Sequence, residues 1–364
     1  MKDLARPNIH DLAVYKPGKP IEEVQRELGL GEVIKLASNE NPLGPSPLAL
    51  KALEAAVPEV YLYPDGSAYR LKQVLSNYYG GLDPDRILFA NGSNELVQQL
   101  SLAFLEPGDE VVAPRPSFPR YEPLARMMNA RTVDVPLVDY RVDLSAMRRA
   151  VTERTKLVYI CNPNNPTGMI VTKAELNTFL DGLHENCLVV LDEAYFEYVD
   201  DPSYPDGLDY LLQGERRVVV LRTFSKCFGL AGLRIGYALA DPEIIAFLER
   251  VREPFNVNTL AQVAAEAALQ DQEHKQRVVE LNRREREFLC GEFERLGIEY
   301  IKSEANFILF NAGRDEKEVF QGMLRRGVII RGGFGYRTWL RVTIGTRDQN
   351  EKFIEALQSV LTEG

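Results

Sequence analysis

The sequence predicts an α/β protein: a large domain with a mostly parallel sheet wrapped by helices, followed by a smaller α+β domain. Three observations carry this. Short apolar runs recur through the middle of the chain, at Ile87-Leu88-Phe89-Ala90, Glu110-Val111-Val112-Ala113, Leu157-Val158-Tyr159-Ile160, Leu188-Val189-Val190-Leu191 and Val218-Val219-Val220-Leu221. Each is rich in β-branched residues and bounded by turn residues, the pattern of strands buried on both faces. Between several of them lie amphipathic stretches such as Leu96, Val97, Leu100 and Phe104, whose spacing puts them on one helical face. The tail then changes character. A charged helical segment over 271–296 precedes a strand at Asn306-Phe307-Ile308-Leu309, a helix from Glu316 to Arg325, strands at Val328-Ile329-Ile330 and Leu340-Arg341-Val342-Thr343, and a last helix starting near Gln349. The expected division is a large domain over 36–268 and a small one over 269–364. An arm over 1–35, irregular at Pro17-Gly18-Lys19-Pro20, joins the small domain.

Composition narrows the function classes. With 45% hydrophobic and 26% charged residues the chain has the make-up of an ordinary globular enzyme. A net charge of −10 argues against a nucleic-acid binder, which needs a basic face. No run approaches the ~18 apolar residues of a membrane span. Met1-Lys2-Asp3-Leu4 opens no apolar targeting segment, and the four cysteines are scattered without paired spacing, so a cytoplasmic protein is expected. His184 and Cys187 are spaced like half a metal site, but no second pair completes it; they read as helix-end residues, and no metal is expected.

The polar motifs fall at the carboxyl ends of the predicted strands, where open α/β sheets bind ligands. After Ala90 comes Asn91-Gly92-Ser93-Asn94-Glu95 and then a helix. Ser93 or Asn94 can cap that helix, or the free amides there can form an anion site. Neither G-x-G-x-x-G nor G-x-x-x-x-G-K-[ST] occurs, which removes the main support for dinucleotide and P-loop readings. After Cys161 comes Asn162-Pro163-Asn164-Asn165-Pro166-Thr167-Gly168, a rigid loop that also offers tandem amide donors. The next strand ends in Asp192-Glu193-Ala194-Tyr195. A carboxylate buried there needs a partner, whether a protonated ring nitrogen, an arginine or a metal. The last strand runs into a segment from Arg222 to Gly236 in which Lys226 sits among apolar and small residues. Desolvation and the nearby Arg234 lower its pKa, as a lysine nucleophile requires, while Thr223, Ser225 and Arg234 suit a phosphate.

Taken in order, Gly92-Ser93-Asn94-Glu95, Asn164-Asn165-Pro166-Thr167-Gly168, Asp192-Glu193-Ala194-Tyr195 and Ser225-Lys226 through Gly232-Leu233-Arg234 resemble the aspartate-aminotransferase fold group of pyridoxal 5′-phosphate (PLP) enzymes, fold type I. Leu36-Ala37-Ser38-Asn39-Glu40-Asn41-Pro42 and Tyr61-Leu62-Tyr63-Pro64-Asp65-Gly66 narrow the resemblance to the histidinol-phosphate aminotransferase family, from about Leu12 to the C-terminus. The resemblance implies that Lys226 holds PLP covalently and carries the proton between the substrate's α-carbon and the C4′ carbon. It implies Asp192 on the pyridinium nitrogen, Asn165 and Tyr195 on the phenolic oxygen, and Phe118 stacked on the ring, where many members have tyrosine. It assigns the phosphate to Ser93 and Asn94 amides, Thr223, Ser225 and Arg234, and makes Tyr63 a donor to the partner subunit's phosphate site in a homodimer. Arg341 matches the arginine for glutamate's α-carboxylate and Arg331 the one facing the distal anion. Tyr15 is expected to help enclose the imidazole.

The implied reaction is a ping-pong exchange between glutamate/2-oxoglutarate and histidinol phosphate/imidazole-acetol phosphate, in histidine biosynthesis. An aromatic-amino-acid aminotransferase and a threonine-phosphate decarboxylase share the cofactor residues and stay open as rivals. A PLP-sensing regulator would need a DNA-binding domain, for which no basic segment exists. A hydrolase lacks its G-x-S-x-G elbow, and the three histidines lie outside the strand-end constellation.

Overall fold

A computed structural model describes residues 4–10, 12, 14, 18–184, 186–215 and 217–363. Its strands are β1 (Ile34–Lys35), β2 (Ile87–Ala90), β3 (Glu110–Arg115), β4 (Arg131–Pro136), β5 (Thr155–Cys161), β6 (Leu188–Asp192), β7 (Val218–Thr223), β8 (Gly236–Leu239), β9 (Phe307–Asn311), β10 (Val328–Ile329) and β11 (Trp339–Thr343). Seven form one sheet in the order β2-β8-β7-β6-β5-β3-β4. Its pairings are parallel except at β8, which runs antiparallel to both β2 and β7.

The five predicted apolar runs are β2, β3, β5, β6 and β7. They are apolar throughout because helices cover both faces: Val158, Val189 and Val220 join one buried cluster, and their neighbours Leu157, Val190 and Val219 join the other. The sequence reading missed β4 and β8. β4 is the sheet edge and largely solvated, with Arg131 and Pro136 exposed, so its pattern is not that of a buried strand.

Register places the strand ends level with one another. Cys161 pairs with Asp192, Asp192 with Leu221, and Gly236 lies between Ala90 and Thr223. Because β2 runs with β7, the helix Ser93–Phe104 starts at the same edge of the sheet as the loops after β5, β6 and β7. An ion cluster ties the segment after β6 to strand β7. Arg222, fully buried, donates through Nε and Nη2 to Glu193 Oε2 at 3.0 and 2.7 Å, reaches Asp206 at 2.5 Å, and lies 3.6 Å over the Phe196 ring. Burial pushes the Glu193 carboxyl up to about 7 against the guanidinium's pull.

In the C-terminal part, β9 and β11 pair antiparallel, and β1 pairs parallel with β10. Helices Gln272–Leu296, Glu316–Arg325 and Arg347–Thr362 pack with these strands over Leu289, Phe293, Ile308, Phe310 and Phe353. Helix Ile21–Leu28 sets Val24 against Leu324 and Ile329, while Pro17 of the arm lies outside the described residues. Several expected strand limits shift by one or two residues: β9 runs on to Asn311 and β11 begins at Trp339. β9 starts after Asn306, whose side chain is turned to the Asn39 carbonyl, and β10 ends before Ile330. His184 and Cys187 sit in the turn before β6 rather than at a helix end; the His184 ring accepts from the Asn186 amide at 3.3 Å, and among the described residues no cluster of metal-ligating groups occurs.

Candidate active site

Lys226 follows β7 and points back to the segment after β1, donating to the Ser38 carbonyl at 2.8 Å. Loss of hydration is the largest effect on it. With the charges of Arg341 and Arg234 acting the same way, against Glu40, it pulls the lysine from 10.5 down to about 7. A large fraction is therefore a neutral amine near neutral pH.

Asp192, the last residue of β6, is 4% exposed. Its Oδ2 accepts from the Tyr121 hydroxyl at 2.7 Å, but Oδ1 is buried with no hydrogen-bond partner. Burial raises the carboxyl's pKa, opposed by Tyr121, the Ala194 amide and the charge of Lys226. None of the partners foreseen for Asp192 is an observed protein group: Tyr121 takes one oxygen and the other is open. Tyr121 is held by a parallel stack on Tyr159, 4.2 Å between centroids, and meets Phe118 edge-on at 5.5 Å. Sequence reasoning gives Tyr121 no role; the need of a buried carboxylate for a donor was the available signal.

The start of helix Ser93–Phe104 corrects one expectation. Neither Ser93 nor Asn94 caps it; Gly92, at φ 75, takes the cap position with no side-chain bond, so Ser93 and Asn94 are the first helical residues and present their amides outward. A Cβ there would stand 2.6 Å from Arg234 Nη2, the movable end of that side chain, so the left-handed backbone is what calls for glycine. Arg234 is oriented by Ala231 O at 2.9 Å and Ser225 Oγ at 3.4 Å, and Thr223 Oγ1 accepts from the Ser225 amide at 3.1 Å. The Thr223 hydroxyl donates to the Ile235 carbonyl at 3.3 Å, and the Arg234 guanidinium stands beside Ser225 and Gly92 near the first amides of the helix, groups that suit an anion.

Arg341, on β11, is buried between the rings of Phe307 and Phe334, at 4.9 and 5.2 Å from their centroids. It donates to Asn165 Oδ1 and, at 2.8 Å, to the Ala37 carbonyl. The tandem asparagines divide their work. Asn165 faces Arg341, whereas Asn164 is fully buried and spends its amide on Ser117, Pro116 and Thr167. Arg331 exchanges backbone hydrogen bonds with Arg341, 3.0 and 2.7 Å, so the two arginines are directly opposed across an antiparallel bridge. Tyr195 is buried with its ring 5.8 Å from Lys226 Nζ. Tyr63 stands apart at 83% exposure, stacked on Phe255 at 4.9 Å. Tyr15 lies outside the described residues.

This arrangement matches known proteins over nearly its whole length. The family model of aminotransferase class I and II covers residues 31–357. A histidinol-phosphate aminotransferase of Moorella thermoacetica is 52% identical over 358 residues, spanning 98% of this chain and 92% of the relative. The chain belongs to the aminotransferase class I and II family. Histidinol-phosphate aminotransferase 2 of Carboxydothermus hydrogenoformans is 49% identical, over 98% of this chain and 99% of its own length. Among solved structures, the histidinol-phosphate aminotransferase of Sinorhizobium meliloti in complex with pyridoxal-5′-phosphate superposes with a TM-score of 0.90 at 28% identity, over 98% of this chain and 96% of that one. For a class I and II aminotransferase the donor set is a good fit to PLP: an orphaned carboxylate oxygen for a ring N–H, an anion cradle for a phosphate, and a near-neutral lysine for an aldehyde.

The lysine's titration is directly measurable. In cofactor-free protein, modification of Lys226 by an amine-reactive reagent, followed by peptide mapping, should rise with pH through a midpoint near 7, because the neutral amine is the nucleophile. A midpoint close to the ordinary 10.5 would contradict the burial argument.

Proposed function

We propose that the chain is a PLP-dependent histidinol-phosphate aminotransferase, exchanging an amino group between histidinol phosphate/imidazole-acetol phosphate and glutamate/2-oxoglutarate. The observation that carries this reading is the pairing of a Lys226 held down to about 7 with a buried Asp192 oxygen that has no hydrogen-bond partner, in a chain that also opposes Arg331 and Arg341 across one bridge. Bound here, PLP supplies an aldehyde that takes up amines and a protonated ring that accepts electron density from the substrate's α-carbon.

Each side chain then has a task. Lys226 Nζ holds the cofactor and afterwards moves the proton between the α-carbon and C4′. Asp192 Oδ1 keeps the ring nitrogen protonated, with Tyr121 fixing the carboxylate. Tyr195 and Asn165 bond the phenolic oxygen, and Phe118 lies against the ring face. The amides of Ser93 and Asn94, with Thr223, Ser225 and Arg234, hold the phosphate. Arg341 grips glutamate's α-carboxylate. Arg331 meets the distal charge, the one feature that glutamate's side chain and histidinol phosphate share. Tyr15 belongs to the same reading as a wall of the imidazole site.

The division into an arm over 1–35, a PLP-binding domain over 36–268 and a small domain over 269–364 is part of the proposal; pairing of β1 with β10 supports joining the arm to the small domain. So is a cytoplasmic homodimer with shared sites. Free cysteines support the reducing compartment, and among the described residues no helix is long and apolar enough to cross a membrane. An exposed apolar run, Val60, Tyr61, Leu62 and Tyr63, supports a covered surface through which Tyr63 reaches the partner's phosphate.

Two experiments test this. The half-reactions, followed by the spectrum of the bound cofactor, should show Arg341→Ala losing roughly 100-fold or more in kcat/KM with glutamate. Arg331→Ala should weaken histidinol phosphate at least as much as glutamate. Wild-type protein that prefers phenylalanine to histidinol phosphate would favour the aromatic aminotransferase, and turnover independent of 2-oxoglutarate would favour the decarboxylase. For the shared site, Tyr63→Phe mixed with Lys226→Ala should give hybrids with one site keeping both groups and hence recovered activity; no recovery despite subunit exchange would contradict it.

A further inference from the structure

The segment Leu36–Pro42 carries a motif to which the proposed chemistry gives no task, and the structure concentrates hydrogen bonds on one of its residues. Asn39 is 1% exposed and holds a left-handed backbone at φ 57. Its Nδ2 donates to the Tyr195 hydroxyl oxygen at 2.9 Å. Its backbone N–H donates to Thr343 Oγ1 at 2.9 Å, the Thr343 hydroxyl donates back to Asn39 Oδ1 at 3.2 Å, and the Asn39 carbonyl accepts from Asn306 Nδ2 at 3.0 Å.

We propose that Asn39 is a positioning residue that sets the direction of the Tyr195 hydroxyl proton, by donating its own amide into the phenol oxygen and so leaving that proton for the cofactor's phenolic oxygen. The inference rests on the reading that Tyr195 serves that oxygen. Its logic is one of donor and acceptor count. Thr343 Oγ1 already accepts from the Asn39 N–H, so its proton needs an acceptor, and Oδ1 is the acceptor it meets. In the reversed orientation of the amide, two donors would face Oγ1 and the threonine proton would lose that acceptor. Nδ2 is therefore turned to Tyr195, which must accept there and donate elsewhere. The ring cannot swing away to satisfy itself differently, because it is buried and packs edge-on against Phe307 at 5.1 Å.

The same bonds connect the two halves of the site. Thr343 lies two residues from Arg341 on β11, so both side chains leave the same side of the strand, and the Thr343 amide donates to the Leu36 carbonyl at 2.8 Å. The strand that carries Arg341 thereby reaches the Tyr195 hydroxyl through a single amide.

Asn39→Gly tests this cleanly. Glycine accepts the left-handed backbone and keeps both backbone bonds, so the variant removes only the amide. The readout is the pH titration of the PLP-loaded protein's absorbance. A hydrogen bond to the phenolic oxygen withdraws negative charge that otherwise retains a proton nearby, so its loss moves the titration midpoint to higher pH. Tyr195→Phe should raise the midpoint, and Asn39→Gly should raise it by about half a pH unit or more, the scale of one hydrogen bond. In the double variant Asn39→Gly should add nothing to Tyr195→Phe. A wild-type midpoint for Asn39→Gly, or a shift that persists in the Tyr195→Phe background, overturns the inference. Should Asn39→Gly fail to fold, Thr343→Val, which removes the hydroxyl that orients the amide, is read in the same two backgrounds with the same expected and overturning results. An unchanged midpoint for Tyr195→Phe itself overturns the reading of Tyr195, and the inference with it.

Discussion

A buried carboxylate oxygen without a partner is the constraint on which the rest of this structure depends. Asp192 is almost fully enclosed at the end of β6, and leaving its charge uncompensated costs several kcal/mol. Tyr121 satisfies Oδ2, a contribution of about 1.5–3 kcal/mol for a hydrogen bond to a charged group, and leaves Oδ1 empty-handed. In the protein alone, burial raises the pKa of this acid, opposed by Tyr121, the Ala194 amide and the charge of Lys226. A bound ring N–H offers a partner and turns the carboxylate's cost into binding and into control of the ring's charge.

The opposite sign dominates the rest of the site. Burial strips Lys226 of its water, and the charges of Arg341, Arg234 and Lys35 press on it in the same direction, against Glu40. Both effects favour the neutral amine, the form able to attack an aldehyde. The cations that depress Lys226 are also those available to anionic ligands: Arg234 beside the free amides of Ser93 and Asn94, Arg341 between two aromatic rings. One distribution of charge thus prepares the nucleophile and holds the anions. The Arg222–Glu193 pair has another function. It is buried, its members compensate each other, and it ties the segment after β6 to strand β7, between Asp192 at the end of one strand and the lysine segment that follows the other.

Much of this was legible in the sequence because burial on both faces leaves a continuous apolar record, and because strand ends concentrate polar motifs. Strands β2, β3, β5, β6 and β7 and the positions of Lys226, Asp192 and Arg234 follow from those two regularities, whereas Arg341, inside β11, was picked out only by the family resemblance. β4 and β8 escaped them, β4 as a solvated edge and β8 because it follows directly on the lysine segment and reads as its continuation. Helix capping at Gly92 was misread because a serine or asparagine is the commoner cap, and only the left-handed backbone at that residue decides otherwise. Tyr121 and Asn39 went unassigned for a different reason. Their partners, Asp192 and Tyr195, lie 71 and 156 residues away, and no local pattern reports a contact across that separation.

The account is tested most directly at the atom Asp192 is said to serve. Protein reconstituted with PLP labelled with nitrogen-15 in the ring should give a chemical shift of a protonated pyridinium, retained well above neutral pH in wild type and lost in Asp192→Asn. A neutral-pyridine shift in the wild-type protein at neutral pH would contradict the claim that the open oxygen of Asp192 holds the ring nitrogen's proton.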